Sequence, residues 1–243
     1  DQDFTEYIYP ATMHNTLLFF TQKGRCFWLK CYEIPEGAKN AKGRAIQNIL
    51  NIEADDAINA VLRIKKFDDE EFVKSHYVVF ATKNGLIKKT CLEAYSRPRA
   101  NGVNAINILE GDQVVAVRLT NGNNEIILAN RNGRAIRFNE SQVRAMGRAS
   151  SGGRAMESAG GDEEVIGMVC VNDPETESIM VVSENGYGKR SDIEDYRTTS
   201  RSAKGVKTLS ITEKTGRLVA IKVVTDENDL MIINKSGILI RLK

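Results

Sequence analysis

IILANRNGRAIRF (126–138) contains the plan of this chain: an apolar strand, a turn closed by Gly133, and a second strand that carries bases. The same phrase occurs as LLFFTQKGRCFWLK (17–30), YVVFATKNGLIKKT (77–90), IMVVSENGYGKRS (179–191) and LMIINKSGILIRLK (230–243). Its turn glycines are Gly24, Gly85, Gly133, Gly186 and Gly237, separated by 61, 48, 53 and 51 residues. A recurrence near 50 residues marks a repeat architecture, and a propeller-like ring is the arrangement it points to. The fold class is therefore all-β, a propeller-like assembly of four-stranded blades.

Each repeat continues past its hairpin. A polar loop leads to a second glycine at Gly43, Gly102, Gly153 or Gly205, which opens GRAIQNIL, GVNAINIL, GGRAMESA or GVKTLSIT. A further strand follows at 57–64, 113–120, 164–171 and 218–225. Four strands per repeat are expected to make one blade. Asn-Gly at 84–85, 132–133 and 185–186 reads as a tight hairpin in which both residues tolerate positive φ. The first strand of each copy is almost wholly apolar, as a strand buried on both faces must be. CLEAYSR (91–97) and DIEDYRT (192–198) each suit one short helical turn, and the acidic excess of the first repeat, KKFDDEEFVKSH (65–76), reads as a solvated loop.

The repeats are bounded at about 16–64, 77–120, 125–171 and 178–225, with half-units at 4–12 and 229–243, and residues 1–243 are expected to form a single domain. Two readings of the ends stand open: the half-units meet and complete a fifth sheet, which would hide two open edges, or the chain is a piece of a longer ring. The 243 residues are 42% hydrophobic, enough for a substantial core, and no apolar run approaches the length of a membrane helix. No secretion signal is visible at DQDFTEYIYP. Cys26, Cys31, Cys91 and Cys170 fit no disulfide framework or zinc spacing, so free thiols in a reducing cytoplasm are expected.

The 34 bases and 32 acids nearly cancel, so only their distribution can indicate a partner. Bases gather in the second strand and the loop after it in every complete repeat; acids gather at 53–56, 68–71, 110–112 and 162–164. In a ring this pattern makes a basic belt, which suits a phosphate backbone and carries no base code. An ordinary charged surface, or a scaffold for acidic proteins, is the competing reading. His14 and His76 lack metal-ligand companions, no phosphate-binding glycine motif is present, and the carboxylate pairs lie in turns. Tyr32, Tyr95 and Tyr196 recur after the second strand and are expected to pack loops against sheets. No catalytic residue, metal site or cofactor is expected in this chain.

EYIYPATMHNTLLFFTQKGRCFWLKCYEIPEG (6–37) and ENGYGKRSDIEDYRTTSRSAKGVKTLSI (184–211) resemble the C-terminal domain of the bacterial DNA gyrase A protein, and the similarity runs through all four complete repeats. The resemblance implies a β-pinwheel whose basic rim bends and wraps double-stranded DNA through backbone contacts. It also implies a partnership with the N-terminal part of gyrase A and with gyrase B, in an A2B2 enzyme that supercoils DNA using ATP, in the cytoplasm at the nucleoid. The rim positions it implies are Lys30, Lys42 and Arg44, then Lys89, Arg97 and Arg99. Arg137, Arg148 and Arg154 follow, and Lys189, Arg190, Arg197, Arg201 and Lys204 complete the set. The family's wrapping box, a short run of Gln, paired bases and glycines, is absent; its expected place is upstream of Asp1, and SRSAKGV (200–206) is the nearest internal relative. The paralogous A-type chain of topoisomerase IV is the alternative within the family.

Overall fold

The computed structural model describes residues 15–34, 44–157, 163–225, 230–233 and 239–242. The first repeat gives β1 (Thr16–Thr21), β2 (Arg25–Lys30) and β3 (Ile58–Ile64), with helix α1 (Arg44–Ile49) between β2 and β3. Helix α2 (Glu70–Ser75) joins it to the second repeat, β4 (Tyr77–Thr82), β5 (Leu86–Cys91), β6 (Val103–Asn104) and β7 (Val114–Thr120). The third repeat is β8 (Glu125–Asn130), β9 (Arg134–Asn139), β10 (Gly153–Arg154) and β11 (Val165–Val171). The fourth is β12 (Glu177–Ser183), β13 (Gly188–Asp192), β14 (Val206–Lys207) and β15 (Leu218–Thr225), and a last hairpin pairs β16 (Leu230–Ile233) with β17 (Leu239–Leu242). Residues 4–12 lie outside the described residues, as do Gly43 and Gly237.

The sheets do not follow repeat boundaries. Their orders are β3-β1-β2-β6, β10-β5-β4-β7, β11-β8-β9-β14 and β13-β12-β15. The short third strand of a repeat thus crosses to the preceding repeat's sheet, with Val103 opposite Cys26 and Val206 opposite Ala135. This corrects the expectation that the four strands of one repeat make one blade. A backbone capture explains the crossing. The Gly24 carbonyl accepts the N–H groups of Ala105 (2.8 Å) and Ile106 (3.2 Å), and the Gly133 carbonyl accepts those of Thr208 (2.7 Å) and Leu209 (3.3 Å). At Gly133, φ is +79° and an added Cβ would strike the Leu209 carbonyl oxygen, so the turn tolerates no side chain.

The hairpin is also looser than Asn-Gly suggested. Asn84, Asn132 and Asn185 do not have positive φ; the following glycines do. Gly133 N–H bonds the Asn130 carbonyl (3.2 Å), and Asn130 Oδ1 accepts the Arg134 N–H (3.0 Å), the pattern of a turn followed by a glycine bulge. Thr21 and Ser183 supply the same side-chain acceptor in their repeats.

Two further expectations change. GRAIQNIL contains α1 rather than a strand. The acidic 65–76 stretch contains α2, whose N-cap Asp69 accepts the Phe72 N–H (3.1 Å) while Glu70 and Glu71 lie in its first turn. The short helical turns are present as 3-10 turns at Leu92–Tyr95 and Ile193–Asp195.

The described residues divide into two compact units. The first is drawn from Asp1–Thr82, Ile87–Gly122 and Arg144–Gly153, the second from Lys83–Leu86, Asn123–Val143 and Arg154–Lys243. β1 is buried at every position, as a strand covered on both faces requires. In the first unit, Leu18 and Phe20 join Val78, Phe80 and Tyr95 in one core. Phe20 meets Phe80 edge-on at 5.3 Å and Tyr95 at 5.8 Å. The second unit buries Ile127, Ala135, Val169, Val181, Ile193 and Tyr196 together. No helix among the described residues is long and apolar enough to cross a membrane.

Candidate nucleic-acid interface

The loop after each second strand begins with a 3-10 turn and has a buried residue at or just beyond the end of that turn. Tyr95 fills that place in the second repeat, its hydroxyl donating to the Ala105 carbonyl (3.1 Å). Tyr196 fills it in the fourth, its hydroxyl 2.5 Å from Thr208 Oγ1. Burial pushes both phenols upward, so they stay neutral. Tyr32 does not share this role: it is 54% exposed, and Ile34 is the buried residue of the first loop. The second glycine is also displaced in the third repeat, where Gly152 takes positive φ and Gly153 opens β10.

The bases of the second strand separate into buried and exposed sets. Lys88 is fully buried, and Lys89 and Arg137 are only 7% and 8% exposed. This corrects the reading of Lys89 and Arg137 as outward rim positions. Lys89 Nζ lies 4.6 Å above the Tyr77 ring. Arg137 pairs with Glu125 (3.2 Å) and donates to the carbonyls of Ile193 (3.1 Å) and Tyr196 (3.3 Å). Trp28, at the same distance from its turn glycine, donates to the Tyr95 carbonyl (2.8 Å). At Trp28 and Arg137 this place ties a second strand to the next repeat's loop. In β13, Lys189 and Arg190 remain exposed, and Arg190 donates to Ser178 Oγ (3.3 Å).

The loop bases are solvent-facing. Lys30, Arg97, Arg99, Arg154, Arg197 and Lys204 are exposed, while Arg148 and Arg201 are half-buried. Arg97, Arg99 and Arg148 line one groove of the first unit with Lys74, Asp68, Glu70 and Glu93; Arg99 and Lys30 share a second groove. In the second unit, Arg201 Nη1 donates to the Arg154 carbonyl (3.3 Å), which gathers the two residues. Arg148 Nη1 makes the equivalent bond to the Asn104 carbonyl (3.1 Å). Each guanidinium keeps further donors. Lys42 lies outside the described residues, and Arg44 opens α1.

The acids are placed to neutralise a different set of bases. Lys23 pairs with Asp55, and Lys83 and Arg131 each lie 3.8 Å from Glu164. The hairpin tips are thus compensated. Among the described residues, Lys30, Arg97, Arg99, Arg148, Arg154, Lys189, Arg197, Arg201 and Lys204 have no carboxylate within ion-pair distance. The loop bases are therefore without direct ion pairs, with Asp68, Glu70 and Glu93 sharing the groove of Arg97, Arg99 and Arg148. Two bases left out of the expected rim set border this surface. Arg25 donates to the Asn101 carbonyl (2.7 Å), and Arg134 to the Gly205 carbonyl (3.2 Å). Both follow their turn glycine directly, and that shared position was the available signal. No group of three metal-ligating side chains occurs among the described residues.

The four repeats match the family model described as DNA gyrase C-terminal domain, beta-propeller, over residues 15–65, 76–121, 124–172 and 177–225. The chain is 40% identical over 242 residues to the DNA gyrase A protein of Staphylococcus epidermidis and 39% identical to that of Staphylococcus aureus. It is covered completely in both comparisons but spans 26% and 27% of those relatives' lengths. Among solved structures, a DNA topoisomerase IV C-terminal domain superposes with a TM-score of 0.82 at 28% identity, covering 96% of this chain and 71% of that one. A DNA gyrase A C-terminal domain superposes at 0.76 and 22% identity, covering 95% and 73%, a likeness of fold. With its sheets described and its repeats matched one by one, this chain belongs to the DNA gyrase C-terminal domain family.

Proposed function

We propose that this chain binds double-stranded DNA through the phosphate backbone, bends it along the post-hairpin loops, and so serves the supercoiling reaction of a gyrase. The observation that carries the reading is the sorting of charge. Acids compensate the hairpin-tip bases Lys23, Lys83 and Arg131, while the loop bases keep their field. Phosphates need positive charge at repeated spacing and no hydrogen-bond code, which is what these loops offer. The contact set is Lys30, Arg97, Arg99, Arg148, Arg154, Lys189, Arg190, Arg197, Arg201 and Lys204, joined by Arg25 and Arg134. Family membership supports the assignment, with the N-terminal part of gyrase A and with gyrase B as partners in an A2B2 assembly in the cytoplasm, at the nucleoid.

The likeness to the topoisomerase IV domain favours a second reading, in which the same loops hold DNA for an enzyme that relaxes or decatenates rather than supercoils. Duplex binding tests the shared part. A gel-shift series against salt and duplex length is expected to show salt-sensitive binding that strengthens with length. No duplex binding together with tight binding to an acidic protein would replace the DNA reading with a scaffold. Placing the chain in gyrase and topoisomerase IV holoenzymes separates the two enzymes by which one it allows to introduce negative supercoils.

A further inference from the structure

Lys88 is the one fully buried side chain among the described lysines, and phosphate contact does not account for it. Its ammonium donates to two carbonyls, Ala105 (2.6 Å) and Arg148 (2.6 Å), and lies 5.7 Å from the Phe80 ring centroid. The first carbonyl belongs to the segment that crosses to β2, and the second to the loop that carries Arg148. The same two segments are joined again by Arg148 Nη1 on the Asn104 carbonyl and by the Asn107 N–H on the Ser150 carbonyl (2.9 Å). Every donor in this knot except the Asn107 amide is a base or the neutral Tyr95 phenol.

We infer that Lys88 is a positioning residue for the DNA surface: its buried ammonium clamps the Arg148 loop to the crossing segment, so that duplex affinity follows the protonation of a lysine that touches no DNA. The inference rests on the duplex-binding reading above. A charged donor makes shorter and stronger hydrogen bonds than a neutral amine, so deprotonation loosens the loop without emptying the site. The charge is poised to be lost. Burial, helped by the Arg148 guanidinium, lowers the Lys88 pKa to about 8. Tyr95 donates to the same Ala105 carbonyl, and burial raises its phenol, so it supplies no compensating anion near neutral pH.

The test compares the unsubstituted protein with Lys88→Met and Lys88→Arg from pH 7 to pH 9. Two readouts are taken: duplex affinity by fluorescence anisotropy, and amide exchange at Asn107 and Met146, whose N–H groups bond across this loop. Unsubstituted protein should lose about tenfold in affinity over this range, while its loop amides gain exchange beyond the ordinary pH effect. Lys88→Met should start at the weakened value and stay flat, and Lys88→Arg should hold the strong value to pH 9 because guanidinium does not titrate there. If Asn107 and Met146 exchange alike in all three proteins, there is no clamp, whatever DNA does. If exchange responds as expected but no protein binds duplex, the clamp stands and the DNA reading fails. If duplex binds equally well to all three at every pH, the loop does not depend on Lys88 for function.

Discussion

The loops around Arg148 and Arg201 occupy equivalent places, each arginine lying fifteen residues beyond its turn glycine, and each is fastened by different chemistry. Both guanidiniums donate to a crossing-segment carbonyl, Asn104 in one case and Arg154 in the other. Beneath the first lies the ammonium of Lys88. At the corresponding position beneath the second is Ile136, buried and apolar. There no lysine lies beneath the arginine; besides the Arg137 guanidinium on the Ile193 and Tyr196 carbonyls, the loop is held by neutral groups. Gln142 accepts the Arg201 N–H (3.1 Å) and donates to the Thr199 carbonyl (3.3 Å), and Ser202 N–H bonds the Ala155 carbonyl (2.8 Å). Repeats can therefore preserve the position of a surface arginine while exchanging the machinery beneath it. A charged clamp responds to pH; an amide clamp does not.

Removing what the loops share should have the largest effect. Replacing Arg148, Arg154, Arg201 and Lys204 by Ala should weaken duplex binding by about a hundredfold or more at moderate salt, measured by anisotropy. Next comes a difference between the clamps in folding stability. Between the folded Lys88 pKa of about 8 and an unfolded value near 10.5, the unfolded chain holds a proton that the folded chain has released. Stability should rise with pH across that window by about 2 kcal/mol relative to Lys88→Met, as read by urea denaturation. Duplex affinity should instead fall as the folded Lys88 loses its proton, between pH 7 and pH 9. These opposite signs separate a positioning lysine from one that only supports the fold.

Breaking the neutral clamp should cost less. Gln142→Ala should destabilise the fold by about 1 kcal/mol, with a loss in duplex affinity that is the same at pH 7 and pH 9. The smallest effect belongs to a region outside both loops. Glu164→Gln releases Lys83 and Arg131 at the hairpin tips. Neither Lys83 nor Arg131 belongs to the proposed contact set, so affinity should change by less than about twofold in the same assay.

The repeat itself was legible because hairpins declare themselves locally. Gly133 needs positive φ, and the strand before it needs an apolar composition for two buried faces. The crossing strands were not legible. β6, β10 and β14 are two residues long, too short for a period, and their destination is set by a glycine carbonyl from the previous repeat. Composition also misled at Lys89 and Arg137. Bases in a repeated second strand suggest solvent, but these two are held inside, Lys89 by an aromatic face and Arg137 by carbonyls of the next loop. Helix α2 could have been recognised from Asp69 at its N-cap, with two acids after it and Lys74 near its end.

The central claim is that the post-hairpin loops present phosphate-binding charge, and the salt dependence of duplex binding tests it most directly. Log affinity plotted against log salt should fall linearly for the unsubstituted protein. Its slope should become shallower by about 3 to 4 when Arg148, Arg154, Arg201 and Lys204 are replaced by Ala, roughly one unit per lost phosphate contact. Equal slopes for the two proteins, or duplex binding that ignores salt, would contradict the account.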